Sequence, residues 1–392
     1  MRILTYLHSY EPGGVERIAL RLVRRWRALG IDAPLFIGRT DGELRGDVGR
    51  ELEAIIPQDP PRWIARRETL WMIAQLPRVI RAERPDVLFC AGNTYLVVAV
   101  AMKLLLGRGC PLIAAKISNN LDRAGSSWFR RTTHRLWLRI VGLVVDHVVG
   151  MAAPMAGEIA ERMGVPARRI TIIPDPALSD ALIEKIRRGG PRPILPDGGR
   201  RFLAVGRLAP QKNIALMLRA FARGAAATDR LTIIGEGGER QKLEQLTRRL
   251  GLGGCVEFLG YVAEPALLMR QYDVLLLSSD YEGVPAVVLE ALAADIAVIA
   301  TDCSRSMADL LVGGQLGELV RVGDERAFAG AVARVRTGRT DATLTLEQAR
   351  RFTLERAAEA YLALFHAVAL SRAPHASPRI GEAASPAGAT IG

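Results

Sequence analysis

Short β-rich segments alternate with helical segments along the chain, and this alternation constrains the fold more than any other feature of the sequence. Strands separated by helical crossovers pair in parallel, because each helix returns the chain to the same edge of the sheet. The predicted strands are Ile3–Leu7, Ala33–Ile37, Val87–Cys90, Leu112–Ile117, His147–Gly150, Ile170–Ile173, Phe202–Val205, Leu231–Ile234, Val256–Leu259, Val274–Leu277, Ala297–Ala300 and Glu318–Val320. The predicted helices include Val15–Leu29, Met155–Met163, Ile214–Ala226, Glu239–Leu250, Val284–Ala294 and Arg326–Val335.

A segment rich in Gly and Pro, Gly189–Gly199, divides this alternation into two halves. Such a composition interrupts both the helical and the strand period and is typical of a linker. The sequence therefore predicts an α/β protein with two doubly wound, Rossmann-like domains, 1–190 and 191–344. A last helical pattern covers 345–370, and the remaining segment, 371–392, has the composition of a disordered tail.

The cysteines and the apolar segments indicate the compartment. Cys90, Cys110, Cys255 and Cys303 show no C-x-x-C spacing, which argues against a zinc site and against a secreted disulfide framework. The sequence begins with a strand-like segment rather than with a signal peptide. The apolar run near Ile140–Val145 stops at Asp146 and is too short to cross a bilayer. We therefore expect a reduced, cytoplasmic protein.

The excess of positive charge is concentrated in one part of the chain. The net charge is +12, and residues 60–140 alone hold 14 basic and 4 acidic side chains. A concentrated field of one sign predicts an anionic partner, which can be a membrane surface, a nucleic acid or a phosphorylated substrate. The alternative is that these arginines pair with acidic residues elsewhere in the fold.

Tryptophan accompanies arginine in this basic window, residues 60–140. Arg131, Arg135 and Arg139 recur every four residues, with Trp128 on the same side of the predicted helix. A second cluster is Arg62, Trp63, Arg66, Arg67 and Trp71. Tryptophan beside arginine is typical of a membrane interface. The window has no RNA-binding motif and no run of stacking aromatics, so we expect docking on an anionic membrane and no nucleic-acid partner.

The strongest local motif follows the predicted strand Val274–Leu277. Its sequence from Ser278 is SSDYEGVPAVVLEAL, which places Glu282 in a strand–helix loop and Glu290 two turns into the helix. Gly283 allows a close approach of the backbone, and a helix N-terminus favours phosphate. On its own, the pattern is equally compatible with a surface glutamate followed by a helical one.

Further motifs stand near the other predicted strand ends. Arg207 and Lys212 lie five residues apart after the first strand of the second half, and a guanidinium with an ammonium suits a diphosphate. The alternative is a pair of solvated cations beside a turn. The loop Ile234–Arg240 contains the glycine spacing G-x-G, which alone could indicate a dinucleotide site. The remaining motifs are Gly13–Glu16 and Phe258–Val262.

In this order and spacing the motifs resemble the retaining nucleotide-sugar glycosyltransferases of family 4, also called glycosyl transferases group 1, over about residues 2–370. The resemblance implies the GT-B fold, in which two Rossmann-like domains face each other across a cleft. It implies that the first domain binds the acceptor and the second the nucleotide sugar. The helix at 345–370 would cross back to the first domain.

The resemblance also implies roles for individual residues. Arg207 and Lys212 would bind the donor diphosphate, Glu290 the ribose hydroxyls, and Glu282 the transferred sugar. The backbone of Gly283, Val284 and Pro285 would follow the sugar and phosphate. The other donor-site residues would be Gly14, Gly235, Gly237 and Val262. With two cations at the diphosphate, no metal is required, and no spacing typical of metal ligands is present in the sequence.

One departure from the family concerns a histidine that many members have after a central strand of the first domain. The corresponding segment here, Ala114–Asn120, contains none. Asn119 and Asn120 are the candidate substitutes. His8 ends the first strand and could face the cleft, although a structural role is the more common one for a single histidine.

The family resemblance predicts a retaining hexosyltransferase acting on a lipid-linked or polysaccharide-precursor acceptor, in exopolysaccharide, O-antigen or glycolipid synthesis. It would work at the inner face of the cytoplasmic membrane. The donor would be a nucleotide-diphosphate sugar, with UDP favoured over GDP because of its wider use in such families. The alternative is a nucleotide-sugar epimerase of the same fold, although such enzymes generally have more histidines and acidic residues in the first domain.

Overall fold

The computed structural model describes residues 1–11, 13–46, 49, 51–57, 67–118, 121, 128–190, 195–336 and 341–372. Within this part of the chain lie two parallel sheets of six strands each. The strands are β1 Ile3–Leu7, β2 Leu35–Ile37, β3 Val87–Cys90, β4 Leu112–Lys116, β5 His147–Gly150, β6 Ile170–Ile172, β7 Arg201–Val205, β8 Arg230–Ile234, β9 Val256–Gly260, β10 Val274–Leu277, β11 Ala297–Thr301 and β12 Glu318–Val320.

Helices lie between most of these strands and also follow the last one. They are α1 Gly14–Ala28, α2 Glu68–Glu83, α3 Leu96–Leu106, α4 Trp128–Val144, α5 Ala153–Met163, α6 Asp180–Arg187, α7 Ile214–Gly224, α8 Arg240–Arg249, α9 Ala286–Ala293, α10 Met307–Leu310, α11 Glu325–Arg334, α12 Ala342–Arg351 and α13 Leu354–Arg372. The central strands are mainly apolar, and β1 and β10 are fully buried, because helices cover both faces of a parallel sheet.

Both sheets are doubly wound, as the alternation predicts. The first has the order β2-β1-β3-β4-β5-β6, so the strand order reverses between β1 and β3. The second has the order β9-β8-β7-β10-β11-β12 and reverses between β7 and β10. Ligands of open α/β sheets bind at such reversals, beyond the carboxyl ends of the strands.

The last helical segment consists of two helices rather than the single one that the sequence predicts. Helix α12 ends at Arg351 and α13 begins at Leu354. Between them, the carbonyl oxygen of Phe352 accepts hydrogen bonds from the backbone N–H groups of Ala177 and Leu178, both at 3.1 Å. The break therefore occurs where the two segments that connect the sheets run side by side.

Helix α13 returns to the first sheet. Tyr361 and Phe365 pack with Trp26 and Phe89, and the ring centroids of Phe89 and Tyr361 are 5.1 Å apart. The indole N–H of Trp26 donates a hydrogen bond to the carbonyl oxygen of Ala358 at 3.2 Å. The predicted return of the C-terminal helix to the first domain is confirmed.

The helices α6 and α12 pack on the second sheet. Ile183 and Ile186 of α6 belong to the same buried cluster as Ala349 of α12 and Phe352, which follows α12. The division of the chain at residue 190 stays a prediction. The predicted tail, apart from its first two residues, lies outside the described residues.

Candidate functional site

The loops that carry the predicted donor residues meet at the carboxyl edge of the second sheet. They follow β7, β8 and β10, and β7 and β10 are the two strands between which the order reverses. The sequence motifs near 206–213, 235–239 and 278–285 therefore lie at the position where doubly wound folds bind nucleotides.

The glycines after β8 allow this loop to pack against the loop after β7. Gly235 has φ 139°, and a Cβ at this position would lie 2.0 Å from the carbonyl oxygen of Gly206. A Cβ at Gly237 would lie 2.3 Å from the carbonyl oxygen of Leu208. Any side chain at either position would force the two loops apart. The described contacts of the G-x-G segment are thus loop-to-loop contacts.

Lys212 and Glu282 form an ion pair between the loop after β7 and the loop after β10. The Lys212 Nζ lies 2.5 Å from the Glu282 Oε1, and both side chains are largely buried. The Ser279 hydroxyl donates to the same carboxylate oxygen at 2.7 Å, and the backbone N–H of Glu282 donates to the carbonyl oxygen of Cys303 at 2.9 Å. The carboxylate is therefore held in one orientation.

Two further hydrogen bonds fix the loop after β7 relative to the loop after β10. The Gln211 side-chain amide donates to the carbonyl oxygen of Tyr281 at 2.7 Å, and the Asn213 amide donates to the Asp280 carboxylate at 2.8 Å. Lys212 lies between these two contacts in the chain. Its ammonium is thus positioned before any ligand arrives, which lowers the entropic cost of binding.

The second glutamate of the motif lies on α9. Among the described residues, none forms a hydrogen bond with the Glu290 side chain. Burial raises the pKa of its carboxyl above the usual range. A partly buried acceptor without a partner has an unmet capacity for hydrogen bonds. Glu290 therefore differs from Glu282, whose carboxylate is already engaged.

A cleft of about 460 Å³ separates the carboxyl edges of the two sheets. Its wall on the second-domain side includes Glu282, Gly283, Val284 and Arg305. Its wall on the first-domain side includes Met155 and Ser118. The predicted pair of domains that face each other across a cleft is confirmed.

An ion pair between described residues crosses this cleft. The Arg305 Nη1 lies 2.6 Å from the Glu158 Oε2, and the Glu158 side chain is 6% exposed. The other Glu158 oxygen accepts a hydrogen bond from the backbone N–H of Leu121 at 3.1 Å. Sequence reasoning missed both partners, as well as Ser279 and Cys303. The position of Arg305 just after β11, at the same carboxyl edge, is the signal that could have indicated it.

The remaining predicted donor residues occupy different positions around the site. Arg207 is exposed after β7, and Gly14 begins α1 with open space where a Cβ would be. Val262 is half-buried against the core of the second domain, and Pro285 immediately precedes α9. The candidate substitutes for the missing histidine, 119 and 120, lie outside the described residues.

A second polar cluster lies at the strand reversal of the first sheet. The Tyr95 hydroxyl donates to the Glu16 carboxylate at 2.6 Å, and the His8 ring lies over the Tyr95 ring with centroids 4.7 Å apart. Burial lowers the pKa of His8, against the opposing effect of nearby glutamates. Burial thus favours the neutral form of the His8 ring, which packs on Tyr95, and the Tyr95 hydroxyl is already bound.

The described residues contain no group of three or more His, Cys, Asp or Glu side chains arranged to hold a metal ion. In the same part of the chain, no helix combines the length and the apolar character needed to cross a bilayer.

Comparison with known proteins identifies the family. The model "Glycosyltransferase Family 4" matches residues 12–176, and the model "Glycosyl transferases group 1" matches residues 199–337. The two matches together cover every strand of the two sheets except β1.

Curated relatives match parts of the chain. A Campylobacter jejuni N-acetylgalactosamine-N,N'-diacetylbacillosaminyl-diphospho-undecaprenol 4-alpha-N-acetylgalactosaminyltransferase is 36% identical over 127 residues, which are 32% of this chain and 34% of that protein. The lipopolysaccharide 1,6-galactosyltransferase of Salmonella typhimurium is 28% identical over 200 residues, or 49% of this chain and 53% of that protein. The chain thus spans about a third to a half of the length of these relatives.

Solved structures match nearly the whole chain. The lipopolysaccharide outer core galactosyltransferase WaaB in its apo form is 20% identical, with a TM-score of 0.74 over 94% of this chain and 99% of WaaB. Anabaena HepE in complex with UDP is 19% identical, with a TM-score of 0.71 over 94% of this chain and 100% of HepE. At these identities the likeness concerns the fold. With both halves matched by family models, the chain belongs to the group 1, or family 4, glycosyltransferases and has the GT-B fold.

Proposed function

We propose that this chain is a retaining hexosyltransferase that uses a nucleotide-diphosphate sugar, preferably a UDP-sugar, and a lipid-linked or polysaccharide-precursor acceptor. The contact between Lys212 and Glu282 carries the proposal. It joins the residue expected to bind the diphosphate and the residue expected to bind the sugar at one strand reversal. Two relatives are named for sugar transfer in undecaprenol-linked glycan or lipopolysaccharide synthesis, and HepE binds UDP and UDP-glucose.

The ion pair explains how the site exists without a donor. Glu282 neutralises the Lys212 ammonium, so that neither charge is left unpaired in a largely buried position. A donor diphosphate competes for Lys212 and also attracts Arg207, which is exposed in the same segment after β7. The Glu282 carboxylate is then available to accept hydrogen bonds from the sugar hydroxyls, while Ser279 continues to orient it.

Glu290 is suited to the ribose. A carboxylate can accept hydrogen bonds from two neighbouring hydroxyls, and this one makes no recorded side-chain hydrogen bond to the described residues. The backbone between Gly283 and Pro285 connects the two glutamates, so the sugar and the ribose would lie at opposite ends of one short segment.

In the proposed transfer, the bond between the sugar C1 and the diphosphate oxygen breaks, and the acceptor hydroxyl oxygen forms a new bond to C1 on the same face. The hydroxyl proton passes to the released diphosphate. Positive charge develops at the sugar and negative charge at the leaving group, and preorganised cations stabilise such a transition state. Arg207 and Lys212 supply these cations, so we propose that the reaction requires no metal.

The acceptor would enter from the first domain. We propose that the chain associates peripherally with the inner face of the cytoplasmic membrane, with the basic window, residues 60–140, facing anionic lipid. A lipid-linked acceptor is confined to that surface, so attachment of the enzyme would raise the local concentration of acceptor.

A binding panel followed by a turnover assay tests the proposal. Thermal unfolding is measured with UDP, GDP and their sugars, because a ligand at a hundred times its dissociation constant stabilises the fold by about 2.7 kcal/mol. The best donor is then incubated with and without a polyprenyl-diphosphate saccharide. Transfer with retained anomeric configuration is expected only with the acceptor. A new sugar epimer formed without any acceptor would refute the transferase and favour the epimerase.

A further inference from the structure

The helices α3 and α4 expose apolar stripes to solvent. Large apolar side chains project outward from both helices, and Leu104 is 77% and Leu143 is 82% exposed. The members of this set are Val97, Leu104 and Leu105 on α3 and Leu136, Ile140 and Leu143 on α4. The two helices contact each other, so the stripes lie on neighbouring elements, and we call their combined outward side the α3–α4 face.

Helices that cover a sheet in water normally present polar residues outward. Helix α1 of the same sheet does so, since Arg17 and Arg24 are exposed there. The α3–α4 face departs from this pattern on two adjacent helices, and contiguous exposed apolar surface marks an interaction site.

The charge around this face identifies the kind of partner. Between Asp86 and Asp146 the sequence contains a single acidic residue, Asp122. Arg135 and Arg139 are exposed on the outward side of α4. The only hydrogen bond recorded for the Arg139 side chain among described residues goes to a backbone carbonyl at 2.9 Å. An apolar stripe flanked by exposed cations is complementary to an anionic lipid surface, into which the leucines insert while the arginines contact headgroups.

The direction of the two helices places the cleft near such a surface. Helix α3 follows the carboxyl end of β3 and ends before the amino end of β4, and α4 runs from the end of β4 towards the start of β5. Both helices therefore begin at the edge of the sheet where the cleft opens. If they lie flat in the interface, the cleft opens along the lipid surface instead of facing away from it.

We infer that the α3–α4 face is a lipid-inserting surface, with Leu104, Leu105, Ile140 and Leu143 entering the headgroup–acyl boundary and Arg135 and Arg139 binding anionic headgroups. The inference rests on the proposed function in one respect, because it assumes an acceptor that is held in a membrane. It differs from attraction by charge alone, because the apolar contacts resist added salt while exposed ion pairs are screened.

Co-sedimentation with vesicles tests the inference on the full chain. The vesicles are phosphatidylcholine alone, or equal parts of phosphatidylcholine and phosphatidylglycerol. We compare the wild type with Leu104→Ser/Leu143→Ser, with Arg135→Ala/Arg139→Ala, and with the control Leu29→Ser, whose exposed leucine lies at the end of α1. Leu104 and Leu143 are largely exposed, so the melting temperature of their variant should not change. The melting temperatures of the Arg135→Ala/Arg139→Ala and Leu29→Ser variants are measured as well, because the Arg139 side chain donates one hydrogen bond and Leu29 is partly buried.

The wild type should bind the anionic vesicles and keep part of this binding at high salt. Loss of a buried leucine weakens partition by about tenfold, so the double leucine variant should bind about a hundredfold more weakly and lose its residual binding in salt. The arginine variant should lose the preference for anionic lipid, and Leu29→Ser should behave as the wild type. Equal binding by the leucine variant and the wild type would overturn the inference.

Two further measurements separate the other outcomes. An environment-sensitive fluorophore at Leu143→Cys should report an apolar surrounding with vesicles, and the same label at Leu29→Cys should not. If the wild type is a dimer in solution and the leucine variant is a monomer, the face is an interface between copies and the inference is wrong.

Donor turnover with a short, water-soluble acceptor should be unchanged in all variants. Its absence in the wild type would contradict the proposed function, while the vesicle result would stand separately.

Discussion

The carboxyl edges of the two sheets differ in what their polar groups contact. At the edge of the second sheet, Arg207 is exposed and Glu290 makes no recorded side-chain hydrogen bond to the described residues, although Lys212 is paired with Glu282. At the edge of the first sheet, Tyr95 binds Glu16, and Lys116 is paired with Asp175. The second edge retains free charge and acceptor capacity for a ligand, whereas these groups of the first edge connect parts of the fold to one another.

The largest effect that follows from this comparison concerns the stability of the first edge. Lys116 is 2% exposed, and its partner Asp175 follows β6 at the connection between the domains. Lys116→Met should lower the free energy of unfolding by about 3–5 kcal/mol, because it leaves a carboxylate without its counter-charge in a mostly buried site. Denaturant unfolding measures this loss, and the affinity for UDP should not change.

Lys103→Met is the matched control for this stability change. Its ion pair with Asp146 spans 3.1 Å in the same domain, but both side chains are 25% exposed. Its removal should cost less than that of Lys116, because its two charged groups keep more contact with water. Adding Asp175→Asn to Lys116→Met should restore part of the stability. Equal costs for the two lysines would show that burial does not set the value of these pairs.

Arg207 provides the converse test at the second edge. Arg207→Ala should reduce turnover by about 10²–10³-fold, the loss seen when one donor to transition-state charge is removed. The free energy of unfolding should stay within about 0.5 kcal/mol of the wild type, because the side chain is exposed. Arg201→Ala, another arginine of the same sheet, serves as the control. Unchanged turnover in Arg207→Ala would remove this residue from the diphosphate site.

The sequence predicts the carboxyl edge of the second sheet better than that of the first. The contacts at the second edge are made by short motifs that each follow a strand directly. The donor loops are short continuous motifs that each follow one strand, so parallel pairing alone brings Lys212 and Glu282 to the same edge. All twelve strands are predicted, most of them because buried parallel strands are continuous apolar runs. Strand β9 is instead an alternating strand, with Glu257 and Leu259 exposed. The ends of several differ by one or two residues, as expected where hydrogen bonding frays.

Contacts between residues distant in the chain were not predictable from local patterns. Glu158 and Arg305 are separated by 147 residues and meet only because the two domains close on each other. The break between α12 and α13 likewise depends on backbone donors at 177 and 178, on a segment far away in sequence. The helical period continues through this break, so composition and spacing gave no sign of it.

The two glutamates of the second edge should have separable roles in UDP binding and in turnover. The expected change in UDP affinity is smaller than the loss of turnover in Arg207→Ala. Glu290→Ala should weaken UDP binding by about 10–100-fold, because hydrogen bonds to a charged group contribute about 1.5–3 kcal/mol. Glu282→Ala should leave UDP affinity unchanged or slightly improved, because Lys212 loses the carboxylate that competes with the diphosphate, while its turnover falls. Calorimetric titration with UDP measures both, and equal losses of affinity would contradict the division.

The smallest effect is a pH dependence of UDP binding through Glu290. Burial raises the pKa of this carboxyl above its ordinary value of 4.5 in the ligand-free protein. Ribose hydroxyls bind best to the ionised form, so the binding constant should fall as the pH is lowered through the raised pKa, by at most about tenfold per pH unit. Above that pKa the affinity should be constant with respect to this group.

The control variant is Glu290→Gln, which keeps the size and one acceptor oxygen but cannot ionise. Comparison with it cancels the titration of the UDP phosphates. The difference between the two proteins should therefore shrink at acidic pH. A difference that stays constant across this range would mean that the ionised Glu290 carboxylate does not contact the nucleotide.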